Sequence, residues 1–417
     1  MSSAPTALWE SLTAPSTWGR AEALAVGAEG VRVSTADGRS MLCATSGLWN
    51  VPLGYGNLAV AEAVGESLRS ASYLSLFRSS HTYAREAAEA LLALTAGRYA
   101  RVIFATSGAA ANDLTMKLVR QAAALRGRPD QNIIVGLNGG YHGLTYGALG
   151  LSGDALGQSV YGVDRRNIRH VSPHDGGAQL RALFAREGHR IAALVLEPIL
   201  GSGGFVLDED FLAAVADVRA AFDVVLVADE VATGFGRTGE LFASTRWPVA
   251  PDVLLLSKAL TNGAAAASAA LVSAELCDVF DRRDAIFVHA ETQAGTPASC
   301  AAILATLSEF VRMDAVGMAR NLSDDLDRTI ARISAHPGVI GTRGAGCFRA
   351  VVLARDGRPL DGPDIAEVVG SIRQAGAIAQ PGPSCIQLVP AFTYTAADLD
   401  ELETAVLRGL DDSEVTA

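Results

Sequence analysis

The sequence predicts an α/β protein: a large domain with a mostly parallel central sheet, plus a smaller α+β domain formed by the N- and C-terminal segments. Three observations lead there. From about residue 101, short apolar runs alternate with helical stretches, the pattern of strands covered by helices on both faces. Glycines crowd the turns after those runs, in TSGAAAN (106–112), NGGYHG (138–143), GSGGF (201–205) and TGFGRTG (233–239). From about residue 310 the pattern becomes helix plus short strands.

Taken in order, residues 30–45 read as a hairpin turning at ADGR, and residues 58–70 and 83–95 as amphipathic helices. Strands are expected at 101–106, 132–137, 191–198, 224–230 and 252–257, with another inside 264–273. Helices are expected at 110–125 and 209–221, and short strands within 339–354 and 384–391. The expected organisation is an N-terminal segment, 1–57, that joins the small domain, a large domain over 58–308, and a C-terminal small domain over 309–417. Ligands of such sheets bind at the strand C-terminal ends, where the glycines lie.

With 417 residues, 49% of them hydrophobic, the chain can bury a large core. Its net charge of -11 argues against nucleic acid and against an anionic membrane. No apolar stretch approaches the ~20 residues of a membrane span. The opening MSSAPTALWESL lacks a basic region followed by an apolar core, so no signal peptide is expected. Five cysteines, an odd number with no CxxC pair, argue against a disulfide framework. The seven histidines show no metal-ligand spacing. The expectation is a cytoplasmic protein without a metal.

Lysine usage marks the first candidate site residue. Of 34 basic residues only Lys117 and Lys258 are lysines. Lys258 follows an apolar run by two residues, where a charged ammonium is costly and a neutral amine is reactive. Asp229 ends another apolar run, aimed at the ligand edge of the sheet; alone, it fits a carboxylate satisfied by loop amides equally well. SGAAAN (107–112) follows a strand and opens a helix, and free amides there bind phosphate. Tyr141 and His142 lie in a glycine-flanked turn, where an aromatic either stacks on a flat ligand or plugs the loop. Together, a phosphate cradle, an aromatic, an aspartate and a desolvated lysine are what pyridoxal 5'-phosphate needs.

The chain resembles the class III (omega-type) pyridoxal phosphate-dependent aminotransferases of fold type I. The resemblance rests on SGLWNVPLGYGN (46–57), SGAAANDLTMKLVR (107–120), YHGLTYGALGLSG (141–153), VLEPILGSGGF (195–205), ADEVATGFGRTGELFA (228–243), PDVLLLSKALTNG (251–263) and HAETQAGTPASCAA (289–302). It implies that Lys258 is the Schiff-base lysine and proton carrier, and that Asp229 pairs with the pyridinium. Ser107, Gly108 and Ala109 would hold the phosphate. Tyr141 and Val231 would cover the two ring faces, with His142 also at the cofactor and Glu197 supporting the Asp229 region. Thr292 would reach the phosphate of a neighbouring subunit, making the active unit a homodimer with shared sites. Trp49, Phe77, Arg78 and Gln387 would line the substrate pocket.

The chain also departs from that family's pattern. Many members carry a gate, a Glu after the EPIxG stretch and an Arg in the final lobe, and the freed Arg binds an α-carboxylate. Here Ser202 and Gln387 stand at those positions, and no Arg or Lys occurs between Gln374 and Ala405. At least one substrate without an α-carboxylate is therefore expected, unless an Arg from elsewhere, such as Arg78, takes over. Ala232 replaces a common Gln, and Glu291 and Gln293 flank Thr292 where aromatics are usual. Glu291 is open to two readings, a contact to a cationic substrate or a solvated residue. The departures favour transfer from an amine or amino-acid donor to a ketone or aldehyde in specialised metabolism. The whole pattern resembles the aminotransferase of daptide-type ribosomal peptide (RiPP) pathways, whose acceptor is a ketone at a modified peptide C-terminus. An aminomutase, epimerase or decarboxylase on the same site is the alternative.

Overall fold

The structure is a computed structural model and describes residues 6–415. The expected bounds at residues 1 and 417, and the first five residues of the opening segment, lie outside it.

Seven strands form the central sheet, in the order Tyr99–Ala105, Ser268–Ser273, Val253–Leu256, Val225–Asp229, Ile191–Leu196, Ile133–Leu137, Ile168–Val171. Ser268–Ser273 runs antiparallel to both neighbours, and the remaining pairs are parallel, the mostly parallel sheet expected. Ile191–Leu196, Val225–Asp229 and Val253–Leu256 are buried along their whole length, because helices cover both faces. The strand period of two divides each strand between the layers. Val225 and Val227 pack with Leu114 and Leu118 of the helix Gly108–Leu125. Leu226 packs on the opposite face with Phe211 and Val215 of the helix Glu209–Ala221. Asp208 caps the latter helix, accepting the Phe211 N–H at 2.7 Å.

The C-terminal lobe holds an antiparallel sheet of Val339–Ala345, Phe348–Arg355, Cys385–Leu388 and Gln380–Gly382. The two ends of the chain meet in a second sheet, where Ala377 and Ile378 pair in parallel with Leu42 and Cys43 of the N-terminal hairpin. Among the features not expected from the sequence, two lie in or beside the site-bearing sheet. The edge strand Ile168–Val171 reads IRHV, with its Arg and His half-buried, so it shows no apolar run. The two-residue strands Ile199–Leu200 and Phe205–Val206 form a hairpin too short to carry a period. Among the described residues no helix is long and apolar enough to cross a membrane.

Candidate active site

The C-terminal ends of the central strands open into a cavity of about 380 Å³. Asp229 closes its inner end, buried as the last residue of its strand. A carboxylate in that place needs several donors, and it has them. Oδ2 accepts Asn112 Nδ2 at 2.8 Å and His142 Nδ1 at 2.7 Å, and Oδ1 accepts the Val231 N–H at 3.2 Å. Burial acts to lower the pKa of His142, but the hydrogen bond and charge of Asp229, with the charge of Glu197, outweigh it and raise it. Glu197 fastens two turns of the rim, accepting the N–H groups of Tyr141 at 2.7 Å and Gly201 at 2.8 Å. Burial pushes its carboxyl up to about 7, against the opposing pull of His142.

The opposite side of the cavity is the start of the helix Gly108–Leu125. Ser107 caps it: its Oγ accepts the Ala110 N–H at 3.1 Å and its carbonyl the Ala111 N–H at 2.9 Å. The N–H groups of Gly108 and Ala109 have no acceptor among the described residues. They are the free donors of a helix N-terminus, suited to an anion. Two glycines keep this cradle open. A Cβ on Gly108 would lie 3.0 Å from Val231 Cγ1. A Cβ on Gly143 would lie 2.3 Å from that of Ala109, and Gly143 also holds a φ of +122°. Gly143→Ala is therefore expected to displace the cradle and weaken cofactor affinity by about 10- to 100-fold, some 1.4–2.8 kcal/mol. Titration of the cofactor-free protein checks this.

Lys258 lies between these two ends. Its backbone is left-handed, with φ +41°, an uncommon conformation that marks functional positions. Ser257 holds the approach by donating its hydroxyl to the Ala267 carbonyl at 2.8 Å. Asn262, at the end of the same turn, bonds Leu53 N and Gly54 O, both at 3.0 Å. Burial pushes the Lys258 amine down to about 8; Arg237 acts the same way, and Asp229 and Glu197 oppose. A sizeable fraction is then neutral near pH 7–8 and able to take a proton.

Over Lys258 sits Trp49, with Nζ 4.2 Å from the ring centroid. Trp49 ends a left-handed turn in which Ser46, Gly47, Leu48 and Trp49 have φ of +41°, +61°, +54° and +70°. Each non-glycine residue there costs roughly 1–2 kcal/mol, so the surrounding contacts must hold the turn. Phe348 packs on the indole with ring centroids 4.9 Å apart.

The cavity thus brings together Trp49, Ser107, Gly108, Ala109, Tyr141, His142, Glu197, Asp229, Val231 and Lys258, all singled out in the sequence. Ala232 lines it as well. Gln387 is buried behind the wall, its amide donating to the Gly201 carbonyl at 2.6 Å. Phe77, Arg78 and Thr292 are exposed and do not line the cavity of their own chain. Glu291 is half-buried: it accepts the Thr106 hydroxyl, and its other oxygen lies 3.8 Å from His289. Two contributors escaped the sequence reading. Asn112, a lone amide on an alanine-rich helix face, is the signal that points to Asp229. Arg237 was visible only as part of a glycine-rich turn.

The features fit pyridoxal phosphate: free amides for its phosphate, a carboxylate at the far end for its ring nitrogen, and a depressed lysine between them. Comparison with known proteins points the same way. Residues 17–408 match the family model described as Aminotransferase class-III. The uncharacterized aminotransferase YhxA of Bacillus subtilis is 30% identical, over 89% of this chain and 88% of that protein. The omega-amino acid–pyruvate aminotransferase of Pseudomonas putida is 28% identical, over 95% and 94%. The PLP-bound crystal structure of an amine transaminase from an uncultivated Pseudomonas species superposes with a TM-score of 0.91 at 27% identity, covering 98% of this chain and 99% of that one.

Proposed function

The chain belongs to the class-III aminotransferases, and from that premise we propose that at least one of its substrates carries no α-carboxylate. It is a pyridoxal phosphate-dependent enzyme that moves an amino group from a donor amine to a carbonyl acceptor. The single observation that supports the finer reading is the charge of the cavity wall. Among the described residues of its own chain no arginine lines it; the basic side chains there are Lys258 and His142, and His142 is engaged by Asp229. At the gate positions, Ser202 donates to Asp154 Oδ2 at 2.6 Å and Gln387 to the Gly201 carbonyl, so both are occupied locally. A planar arginine fork is the strong recogniser of carboxylates, and neither residue replaces it.

The residues divide the work. The cofactor, when bound, supplies a protonated ring that takes up the electrons released as the substrate Cα–H bond breaks. Ser107, Gly108 and Ala109 hold its phosphate end. Asp229 keeps a positive charge on the ring nitrogen, and Asn112 and His142 keep Asp229 oriented. Lys258, as the neutral amine, would take the proton from the substrate Cα on its Nζ and deliver it to the aldehyde-derived carbon of the cofactor, across the transferred nitrogen. Trp49 excludes water above Nζ. We assign Thr292 and Phe77 to the site of a second copy, which makes the working unit a homodimer; their exposure and their absence from the lining of their own cavity support this. The acceptor that best suits a cavity without an arginine is a ketone or aldehyde of specialised metabolism, including the ketone of a modified peptide C-terminus.

The test compares acceptors at fixed donor. An uncharged ketone or aldehyde is expected to exceed 2-oxoglutarate in kcat/KM by about 100-fold, the loss of one charged hydrogen-bonded pair of up to roughly 3 kcal/mol. Efficient amination of 2-oxoglutarate would contradict the reading.

A further inference from the structure

Beneath the Trp49 turn lies a buried charge without a counter-ion. Arg237 has no exposed surface, and no carboxylate pairs with it among the described residues. Its Nη1 donates to the Pro390 carbonyl at 2.7 Å. Its Nη2 donates to Ser46 Oγ at 2.6 Å and to the Trp49 carbonyl at 3.3 Å. The guanidinium carbon sits 5.0 Å from the centre of the Phe392 ring, and Nε has no acceptor among the described residues. Ser46 passes the connection on, donating to the Val389 carbonyl at 2.8 Å.

A buried cation without a carboxylate is a poor way to stabilise a fold, and an apolar residue of similar volume would fill the space at less cost. What only arginine supplies is a planar fork that reaches several acceptors at once. Here those acceptors are the first and last residues of the left-handed turn and the chain segment after the Cys385–Leu388 strand. We propose that Arg237 is a positioning residue for the amine centre: its guanidinium fastens the Ser46–Trp49 turn and so sets the Trp49 indole over the Lys258 amine. The inference rests on Lys258 as the reactive amine.

Three charged groups act on that amine: Asp229 and Glu197, which hold its proton, and Arg237, which repels it. Loss of the arginine removes the repulsion and also frees the indole to move, admitting water. Loss of the repulsion and entry of water raise the affinity of Lys258 for its proton, against the smaller loss of the indole face as a partner for the ammonium.

The composition makes the test clean, because Lys258 and Lys117 are the only lysines and Lys117 is exposed. In the cofactor-free full chain, acetic anhydride labelling is followed by peptide mass spectrometry across pH, with Lys117 as the internal reference. Arg237→Met is expected to move the Lys258 labelling midpoint upward by about one pH unit. Ser46→Ala, which leaves the charge in place and removes one acceptor, should move it in the same direction by less. The holoenzyme of Arg237→Met should show a donor KM raised about tenfold with a smaller change in kcat. A folded Arg237→Met protein with an unchanged Lys258 midpoint overturns the proposal. Should that variant fail to fold, an unchanged midpoint in Ser46→Ala overturns it instead. Labelling needs neither cofactor nor donor, so failure of the transaminase reading would show in the acceptor assay alone.

Discussion

Lys258→Ala lowers turnover by at least about 10⁴-fold, the scale of losing a proton carrier together with a nucleophile, and leaves a folded protein. Cofactor binding survives, because Ser107, Gly108, Ala109 and Asp229 are untouched. The variant also behaves differently with pH. Burial depresses the folded-state pKa of Lys258 to about 8, against 10.5 for a free lysine. Between those values the unfolded chain binds the extra proton, so the lysine's contribution to stability rises with pH and is weakest below pH 8. The span of about 2.5 pH units, at about 1.4 kcal/mol each, sets an upper limit of roughly 3.5 kcal/mol. Denaturant unfolding of cofactor-free wild type and Lys258→Ala should diverge by up to that amount between pH 8 and 10.5, with the wild type gaining. Taking the difference between the two cancels the five buried cysteines, which titrate in the same range when unfolded. A flat difference would show that Lys258 is not desolvated.

Asp229→Asn comes next in expected effect. The amide keeps the size of the carboxylate but loses its charge, and its NH₂ meets a donor in either orientation: Asn112 and His142 at the Oδ2 position, or the Val231 N–H at the Oδ1 position. A donor facing a donor in a buried site is costly. Without the negative charge, nothing keeps the cofactor ring nitrogen protonated. The expected loss in kcat is about 10³-fold. A second signature is independent of activity: with Asp229 neutral, burial dominates at His142 and its pKa falls below the ordinary histidine range. Histidine NMR of the cofactor-free protein reads that fall, and an unchanged His142 would contradict the role given to Asp229.

Much of this site is legible in the sequence because its chemistry is out of place there. A lysine in a chain that otherwise uses arginine, an aspartate ending an apolar strand, and glycines after strands each stand out from the local pattern. Burial on both faces likewise makes the central strands readable as continuous apolar runs. What sequence cannot carry is set by contacts distant in the chain. The hydroxyl that Glu291 meets belongs to Thr106, 185 residues earlier. The left-handed turn ending at Trp49 has one glycine among four residues, and the Arg237 that holds it lies 191 residues from Ser46. The edge strand Ile168–Val171 owes its place to pairing with Ile134–Leu137 and not to its own composition.

The central claim is that this cavity exchanges an amino group through a cofactor held between Asp229 and Lys258. The most direct measurement is a single half-reaction: the visible spectrum of the holoenzyme as alanine, glutamate and simple amines are added without acceptor. The account predicts stoichiometric conversion of the pyridoxal form to the pyridoxamine form with at least one donor, reversed when an uncharged carbonyl acceptor is added. A spectrum that no donor converts, while substrate is decarboxylated or isomerised, would contradict it.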